Sequence, residues 1–348
     1  MRQCILHIGI PKTGSSSIQK TLHMNRDRLV EAGILYQTTL GSEKGTAAHH
    51  KLGANVRGTG KQNRLEGINL SEFEKILRTT PADIVLISTE SLSHPRLKAE
   101  KLQHLAHLIT ANGFAATAVA YIRPQPPLAN SAYTQAVKSF QFEGSFDDFT
   151  TKRLGGAGWQ MNERLAVWFD QPNIRFIAVP FTPENTGLDI AAKMLKLAGV
   201  PSPRVDGLRL EFPGYVNEAP GPLAVAAFRM LARDRQDFRA LRKDTRTQRA
   251  ARMEAKRRGW FRDRFVGLDD RRVARIRTLF EEENERFARR CFARPWHDVF
   301  AADYERLWEP NEIELDAIAP DQKAALDDFL VTIAANSSTP DGVEEQGQ

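Results

Sequence analysis

Between residues 5 and 199 the sequence alternates short apolar runs with stretches of helical period, and that alternation constrains the fold more than any other property of the chain. Ile5–Ile10 reads as a buried strand and Ser15–Ala32 as the helix after it. Asp83–Ser88 and Leu97–Ala111 repeat the pair, as do Phe114–Ile122 with Pro127–Ser139, and Ile174–Val179 with Leu188–Ala198, which Gly199 closes. Strands separated by helices are joined by crossovers and so run parallel. A parallel sheet carries helices on both faces, which is why its strands read as continuous apolar runs. The expected fold class is therefore α/β, a parallel sheet flanked by helices.

The remainder carries weaker signals. Gly41–Gly67 is rich in Gly, His, Lys and Asn without either periodicity and reads as a long functional loop or lid. From Asn336 the tail NSSTPDGVEEQGQ has the composition of a disordered end. The expected organisation is one α/β domain over 1–310, a helical segment over 311–335 and a disordered tail over 336–348. No internal repeat is visible.

With 41% hydrophobic and 26% charged residues, the 348-residue chain has the make-up of a globular protein. Positive charge is concentrated late. From Arg229 to Arg290 there are 21 Lys plus Arg against 11 Asp plus Glu, a balance of +10, so the rest carries −4 of the total +6. Such an excess suits either a polyanion or the solvated faces of long helices, and Leu231, Phe238 and Leu241 with Val273, Ile276 and Phe280 recur at helical spacing. A helical, basic C-terminal region is expected, with nucleic acid not its partner. Only Cys4 and Cys291 are present, so neither a disulfide framework nor a thiolate zinc site is expected. The longest apolar run, Phe114–Ile122, is far short of the ~20 residues a membrane helix needs. A cytoplasmic protein without a transmembrane segment is expected.

The most informative stretch is Gly9-Ile10-Pro11-Lys12-Thr13-Gly14-Ser15-Ser16-Ser17, where a buried strand turns into a helix. Unpaired N–H groups at a helix start, with the positive end of its dipole, make an anion site. Lys12 adds a full charge, and Thr13, Ser15, Ser16 and Ser17 add hydroxyls. The plainer alternative is that these hydroxyls only cap the helix. Gly9 and Gly14 have the spacing of a nucleoside-triphosphate loop, but Ser15 stands where that loop needs its lysine.

Pro11–Ser17 resembles the 5′-phosphosulfate loop of sulfotransferases that use 3′-phosphoadenosine 5′-phosphosulfate (PAPS). That family carries a second signature, an Arg ending a later strand with a Ser eight residues on and an aromatic two after it. Ile122-Arg123-Pro124 followed by Ser131 and Tyr133 has that spacing. Arg123 would leave the carboxyl edge of a parallel sheet, where ligands bind, and a guanidinium fork matches phosphate oxygens. Trp159, Trp168, Ile174–Phe181 with Thr182-Pro183-Glu184, Val216-Asn217-Glu218, and Phe280–Phe287 with Asn284 are softer points of likeness. The late RKGxxGxWK motif of the cytosolic animal enzymes is absent.

The resemblance covers roughly residues 3–290. It implies a P-loop NTPase-like sheet, with PAPS held by Lys12, Thr13, Gly14, Ser15, Ser16 and Ser17 at one end and by Arg123 and Ser131 at the 3′-phosphate. It also implies an acceptor hydroxyl or amine, of a glycan or glycolipid, and no metal. Sulfuryl transfer needs charge stabilisation on the leaving phosphate, a task that suits Lys12, and a base for the acceptor's proton. Glu90, directly after the second long strand, is one candidate, and His49 or His50 in the polar loop are others. His94 and His297 read as structural or surface residues. Two rival functions stand beside this one: a nucleotide-dependent kinase of the same fold, and a non-enzymatic polyanion-binding module using 229–290.

Overall fold

A computed structural model describes residues 2–37, 47–58, 69–213, 219–234 and 238–338. By contact the chain divides into two compact units. The first comprises Met1–Pro124, Gly156–Val216 and Leu279–Arg306, and the second Gln125–Gly155, Asn217–Thr278 and Leu307–Gln348.

In the first unit the apolar runs pair as a five-stranded, wholly parallel sheet: β1 (Arg2–Ile8), β2 (Ile34–Leu35), β3 (Ile84–Thr89), β4 (Phe114–Ile122) and β5 (Ile174–Pro180), ordered β2-β3-β1-β4-β5. The expected α/β class, a parallel sheet flanked by helices, is what forms. In register, His7 of β1 sits opposite Ser88 of β3 and Val119 of β4. The carboxyl ends of β3, β1 and β4 are therefore neighbours, although in the sequence 81 residues separate the end of β1 from that of β3 and 114 separate it from that of β4.

Every residue of β3 is buried, as expected of a strand covered on two sides. One face of the sheet, with Ile5, Leu86, Val119, Tyr121 and Val179, packs with Ile18 and Leu22 of helix Ser15–Met24 and with Ile190, Met194 and Leu195 of helix Ile190–Leu197. Full burial of such a side chain stabilises by about 1.5–3 kcal/mol. Helix Ala99–Ala111 packs against β4. Helix Met161–Phe169 is held at its start by Glu283, whose Oε1 accepts the N–H groups of Asn162 (2.5 Å) and Glu163 (3.1 Å).

Two local expectations are corrected, and one strand is added. The helix read over Ser15–Ala32 is two helices, Ser15–Met24 and Arg26–Glu31, because Asn25 leaves helical geometry (φ −99°, ψ 15°). Its amide donates to the carbonyls of Thr21 and Glu211, and its Oδ1 accepts the Glu211 N–H, so the side chain binds a distant segment at the break. The segment read as a loop over Gly41–Gly67 contains helix His50–Arg57, whose Leu52, Ala54 and Val56 are buried; too few apolar residues stand there to show a period. Residues 41–46 and 59–67 of that segment lie outside the described residues, as does Val216-Asn217-Glu218. Finally, β2 has two residues, too few to register as a strand in the sequence.

The second unit is helical, with Gln125–Lys138, Phe146–Arg153, Pro222–Asp234, Thr245–Arg257 and Pro320–Ser338 as its longer elements. The last of these takes in the first three residues of the tail expected to be disordered, and 339–348 lie outside the described residues. Tyr133 is the hub of an aromatic cluster with Phe142, Phe146, Phe149 and Phe265, ring centroids 5.2–6.2 Å away, and its hydroxyl donates to Gly144 O (3.0 Å). Beside it, Arg229 and Glu312 form an ion pair (3.1 Å) whose side chains are 2% and 3% exposed; the same carboxylate accepts the Phe146 N–H (2.9 Å). Much of the basic stretch is likewise engaged within the chain. Glu254 pairs with Arg257 and Arg258, and Asp147 with Arg272 and Arg275. Among the described residues no helix is long and apolar enough to cross a membrane.

Removing one member of a buried pair leaves an uncompensated charge. Arg229→Met should therefore lower unfolding free energy by about 3–5 kcal/mol in urea titrations, whereas Arg257→Met, which removes an exposed guanidinium and leaves Glu254 paired with Arg258, should change it by less than about 1 kcal/mol.

Candidate functional site

The site begins where β1 ends. From Gly9 to Gly14 the chain reverses into helix Ser15–Met24, and two residues of the turn have positive φ, Lys12 at 69° and Gly14 at 80°. A lysine in the left-handed region is uncommon and is held there only by its surroundings. Thr13, fully buried, donates its hydroxyl to Ile10 O (2.6 Å), and the buried Ser15 hydroxyl donates to the same carbonyl at 3.4 Å. A hydroxyl has one proton, so these two side chains brace the turn rather than present donors outward.

The N-cap of this helix is Gly14, and no side chain caps it. The capping role that Ser and Thr offered in the sequence is thus not the role they play. Ser17 and Ile18 N–H already turn back to Gly14 O (2.9 and 3.1 Å), whereas Ser15 and Ser16 N–H precede any carbonyl the helix provides. Ser16 is exposed and Ser17 half-buried.

Arg123 follows the last residue of β4, and its Nη1 donates to Lys12 O (3.0 Å), so the carboxyl end of β4 is tied to the crest of the turn. Its guanidinium also lies over the Phe181 ring, 5.4 Å from the centroid. Phe181, just past β5, is fixed by its own N–H to Ile122 O (2.7 Å). Gly14 is required here twice over. Its φ suits glycine, and a Cβ would stand 2.8 Å from Ile190 Cδ1 and 3.3 Å from Phe181.

Glu90 enters from the other side of β1. It opens a single 3-10 turn, Glu90–Ser93, directly after β3. Gly9 N–H donates to Thr89 O (3.2 Å), and the Ser93 hydroxyl donates to Gly9 O (2.7 Å). A Cβ on Gly9 would lie 3.1 Å from Glu90 Cγ and would collide with Ser15 Oγ. Glu90 and Ser15 therefore converge on the space that glycine leaves open. Behind them Arg164 donates to Ser93 O (2.7 Å) and to Gly158 O (2.6 Å), clamping the 3-10 turn. Its burial lowers its proton affinity to about pKa 10, offset in part by the negative charge of Glu90. Arg164 was not legible as a site residue: its partner is 71 residues away, and nothing around it marks a motif.

The two loop histidines separate. His49 is buried, its Nδ1 accepts the Ser88 N–H (3.1 Å), and its Nε2 therefore carries the proton and donates to Gln37 O (2.7 Å). With both ring nitrogens spent on backbone and its pKa pushed down to about 4 chiefly by burial, His49 is a structural residue. His50 is the first residue of helix His50–Arg57 and is half-buried. His7, beneath the turn, is likewise buried in the sheet, with Nδ1 2.7 Å from Ser88 Oγ and its pKa pushed down to about 4 by burial. His94 is half-buried with Nδ1 accepting the Arg96 N–H, and His297 is on the surface beside Asp298.

Of the residues singled out in the sequence, Lys12, Thr13, Gly14, Ser15, Ser16, Ser17, Glu90 and Arg123 thus share the carboxyl edge of β3, β1 and β4. Ser131 is half-buried on helix Gln125–Lys138 in the second unit. Trp168 is buried, its indole N–H donating to Leu92 O (3.1 Å). Among the described residues no three His, Cys, Asp or Glu side chains converge as metal ligands. No protein-family model, curated protein or solved structure matches the chain.

The two buried imidazoles set an acid limit on this corner. Their folded-state pKa values lie below the ordinary 6.5, so the unfolded chain takes up protons first, and stability present above pH 6.5 is lost as pH falls towards 4. Each ring contributes at most about 3 kcal/mol over that range. Urea midpoints measured through it should fall steadily in the wild type and less in His49→Gln.

Proposed function

We propose that the chain is a sulfotransferase that moves the sulfuryl group of PAPS to an acceptor hydroxyl, on a P-loop-type variant of the α/β fold. The observation that carries this reading is the uncapped amino-terminal turn with Arg123 bonded to its crest. The two sequence segments that resemble the family's donor-binding motifs are 111 residues apart, and the sheet order makes them adjacent.

The residues present suit such a donor. The N–H groups of Ser15 and Ser16, the Ser16 and Ser17 hydroxyls and the helix dipole provide for the 5′-phosphosulfate, with the Lys12 charge in the same turn. Arg123 supplies the cation for the 3′-phosphate, the group that distinguishes this nucleotide from ATP. The donor supplies a sulfuryl group on a phosphate leaving group. In the transfer an acceptor oxygen forms a bond to sulfur, the bond from sulfur to the bridging oxygen breaks, and the acceptor's proton passes to a base. Lys12 stabilises the charge that collects on the leaving phosphate, and Glu90, across Gly9 from the turn, takes the proton. His50 remains the alternative base; His49, whose ring is fully engaged, does not. The acceptor class, a glycan or glycolipid, rests on the resemblance alone.

A thermal-shift titration separates this reading from the kinase. Adenosine 3′,5′-bisphosphate at a hundredfold over its Kd should add about 2.7 kcal/mol of stability, and ATP with magnesium should add much less. Stabilisation by ATP and magnesium alone would overturn the proposal. Arg123→Ala should weaken adenosine 3′,5′-bisphosphate about 10- to 150-fold, the range for a charged hydrogen bond. Lys12→Ala should abolish transfer. Glu90→Gln should remove most of it, and full activity in that variant would assign the base to His50.

A further inference from the structure

Next to Glu90 lies a group of cations that the donor site does not use. Helix His50–Arg57 rests on the end of β3 through Gly53, where a Cβ would come 2.5 Å from Ser91 Cβ and 2.9 Å from Thr89 Oγ1. Arg57 is four residues on, hence on the same helix face, and follows Gly53 towards the 3-10 turn. Against that turn Arg164 is held by its bond to Ser93 O, and the chain at Arg96 is held by its backbone N–H, which donates to His94 Nδ1 (3.1 Å). His94 lies among the three: after burial, the charges of Arg57, Arg164 and Arg96 are what depress its proton affinity.

The group is short of negative charge. Arg57 is half-buried, its Nε is fully buried without a hydrogen-bond partner, and burial lowers its pKa. Among the described residues none of Arg57, Arg96 and Arg164 has a carboxylate at ion-pair distance; the negative charge that bears on the group is Glu90, acting on Arg164. Half-buried guanidiniums without a counter-ion are costly, and their planar forks fit carboxylate, sulfate and phosphate oxygens.

We propose that Arg57, Arg96 and Arg164 form an anion subsite that seats a negatively charged substituent of the acceptor, so that the acceptor is an acidic molecule and its reacting hydroxyl is presented beside Glu90. The inference rests on the sulfotransferase reading and names its acceptor class. Carboxylate, sulfate ester and phosphate ester share the required chemistry. Arg164, already committed to two carbonyls, shapes the subsite, while Arg57 and Arg96 make the contact.

The test uses wild type and the variants Arg57→Met and Arg96→Gln, each saturated with adenosine 3′,5′-bisphosphate, and calorimetric titration with four probes: methyl glucoside, methyl glucuronoside, and methyl glucoside 6-sulfate and 6-phosphate. At least one charged probe should bind wild type tenfold or more tighter than the neutral glucoside, and the tightest of the three identifies the source. Either variant should erase most of that preference while leaving nucleotide affinity unchanged. Charged probes binding no tighter than the neutral one, or a preference that survives both variants, would overturn the proposal. A fall in nucleotide affinity on Arg57→Met would assign the cluster to the donor and overturn it as well. Failure of wild type to bind the nucleotide at all is a different result, which removes the sulfotransferase reading itself. Arg96→Gln, at an exposed position, keeps the test open if Arg57→Met does not fold.

Discussion

The hydrogen bond from Arg123 to the carbonyl of Lys12 is the interaction on which the site's geometry depends. It fixes a strained lysine, at φ 69°, in the turn between the central strand and its helix, and it joins two strand ends that meet only because β4 pairs with β1. The turn is braced from within as well. Thr13 and Ser15 spend their hydroxyl protons on Ile10, and Gly14 is packed under Ile190 and Phe181. A turn so determined leaves the first amides of its helix without a capping side chain, which is the arrangement an anion requires.

The other half of the site follows from the same sheet order. Because β3 pairs with β1 on its opposite side, the residue after β3, Glu90, reaches the space above Gly9, and the 3-10 turn that carries it is held by Ser93 and Arg164. His49 anchors the next helix, its Nδ1 accepting from Ser88 N–H of β3 and its Nε2 donating to Gln37 O, and so sets Gly53 and Arg57 over that turn. The Lys12 turn, the Glu90 carboxylate beside it and the cation cluster are therefore three consequences of one arrangement, β3-β1-β4, in which the strand order changes direction beside β1.

What could be read from the sequence was what local chemistry writes into it. The strand Phe114–Ile122 was legible to the residue because a nine-residue run, apolar but for Thr117, sits between a Gly and an Arg. The turn Pro11–Ser17 was legible because its glycine, lysine and hydroxyls are contiguous. Long-range partnerships were not. Asn25 reads as an ordinary helical residue until Glu211, 186 residues on, takes its side chain out of the helix. His49 and His50 look alike in sequence, and only the backbone of Ser88 and Gln37 makes the first one structural. The hydroxyls of Thr13 and Ser15 were credited to a ligand because nothing local reveals that Ile10 accepts their protons. Arg57 and Arg164 had no signal at all, since their meaning lies in which turn they face.

The central claim is that the amides opening helix Ser15–Met24 receive the 5′ end of a nucleotide whose 3′ end meets Arg123. Amide proton and nitrogen shifts, followed by NMR during titration with adenosine 3′,5′-bisphosphate, read those atoms directly. Gly14, Ser15 and Ser16 should show the largest saturable changes in the first unit, with the Arg123 side-chain N–H signals moving in step. Saturable binding that leaves Gly14–Ser16 unperturbed would contradict it.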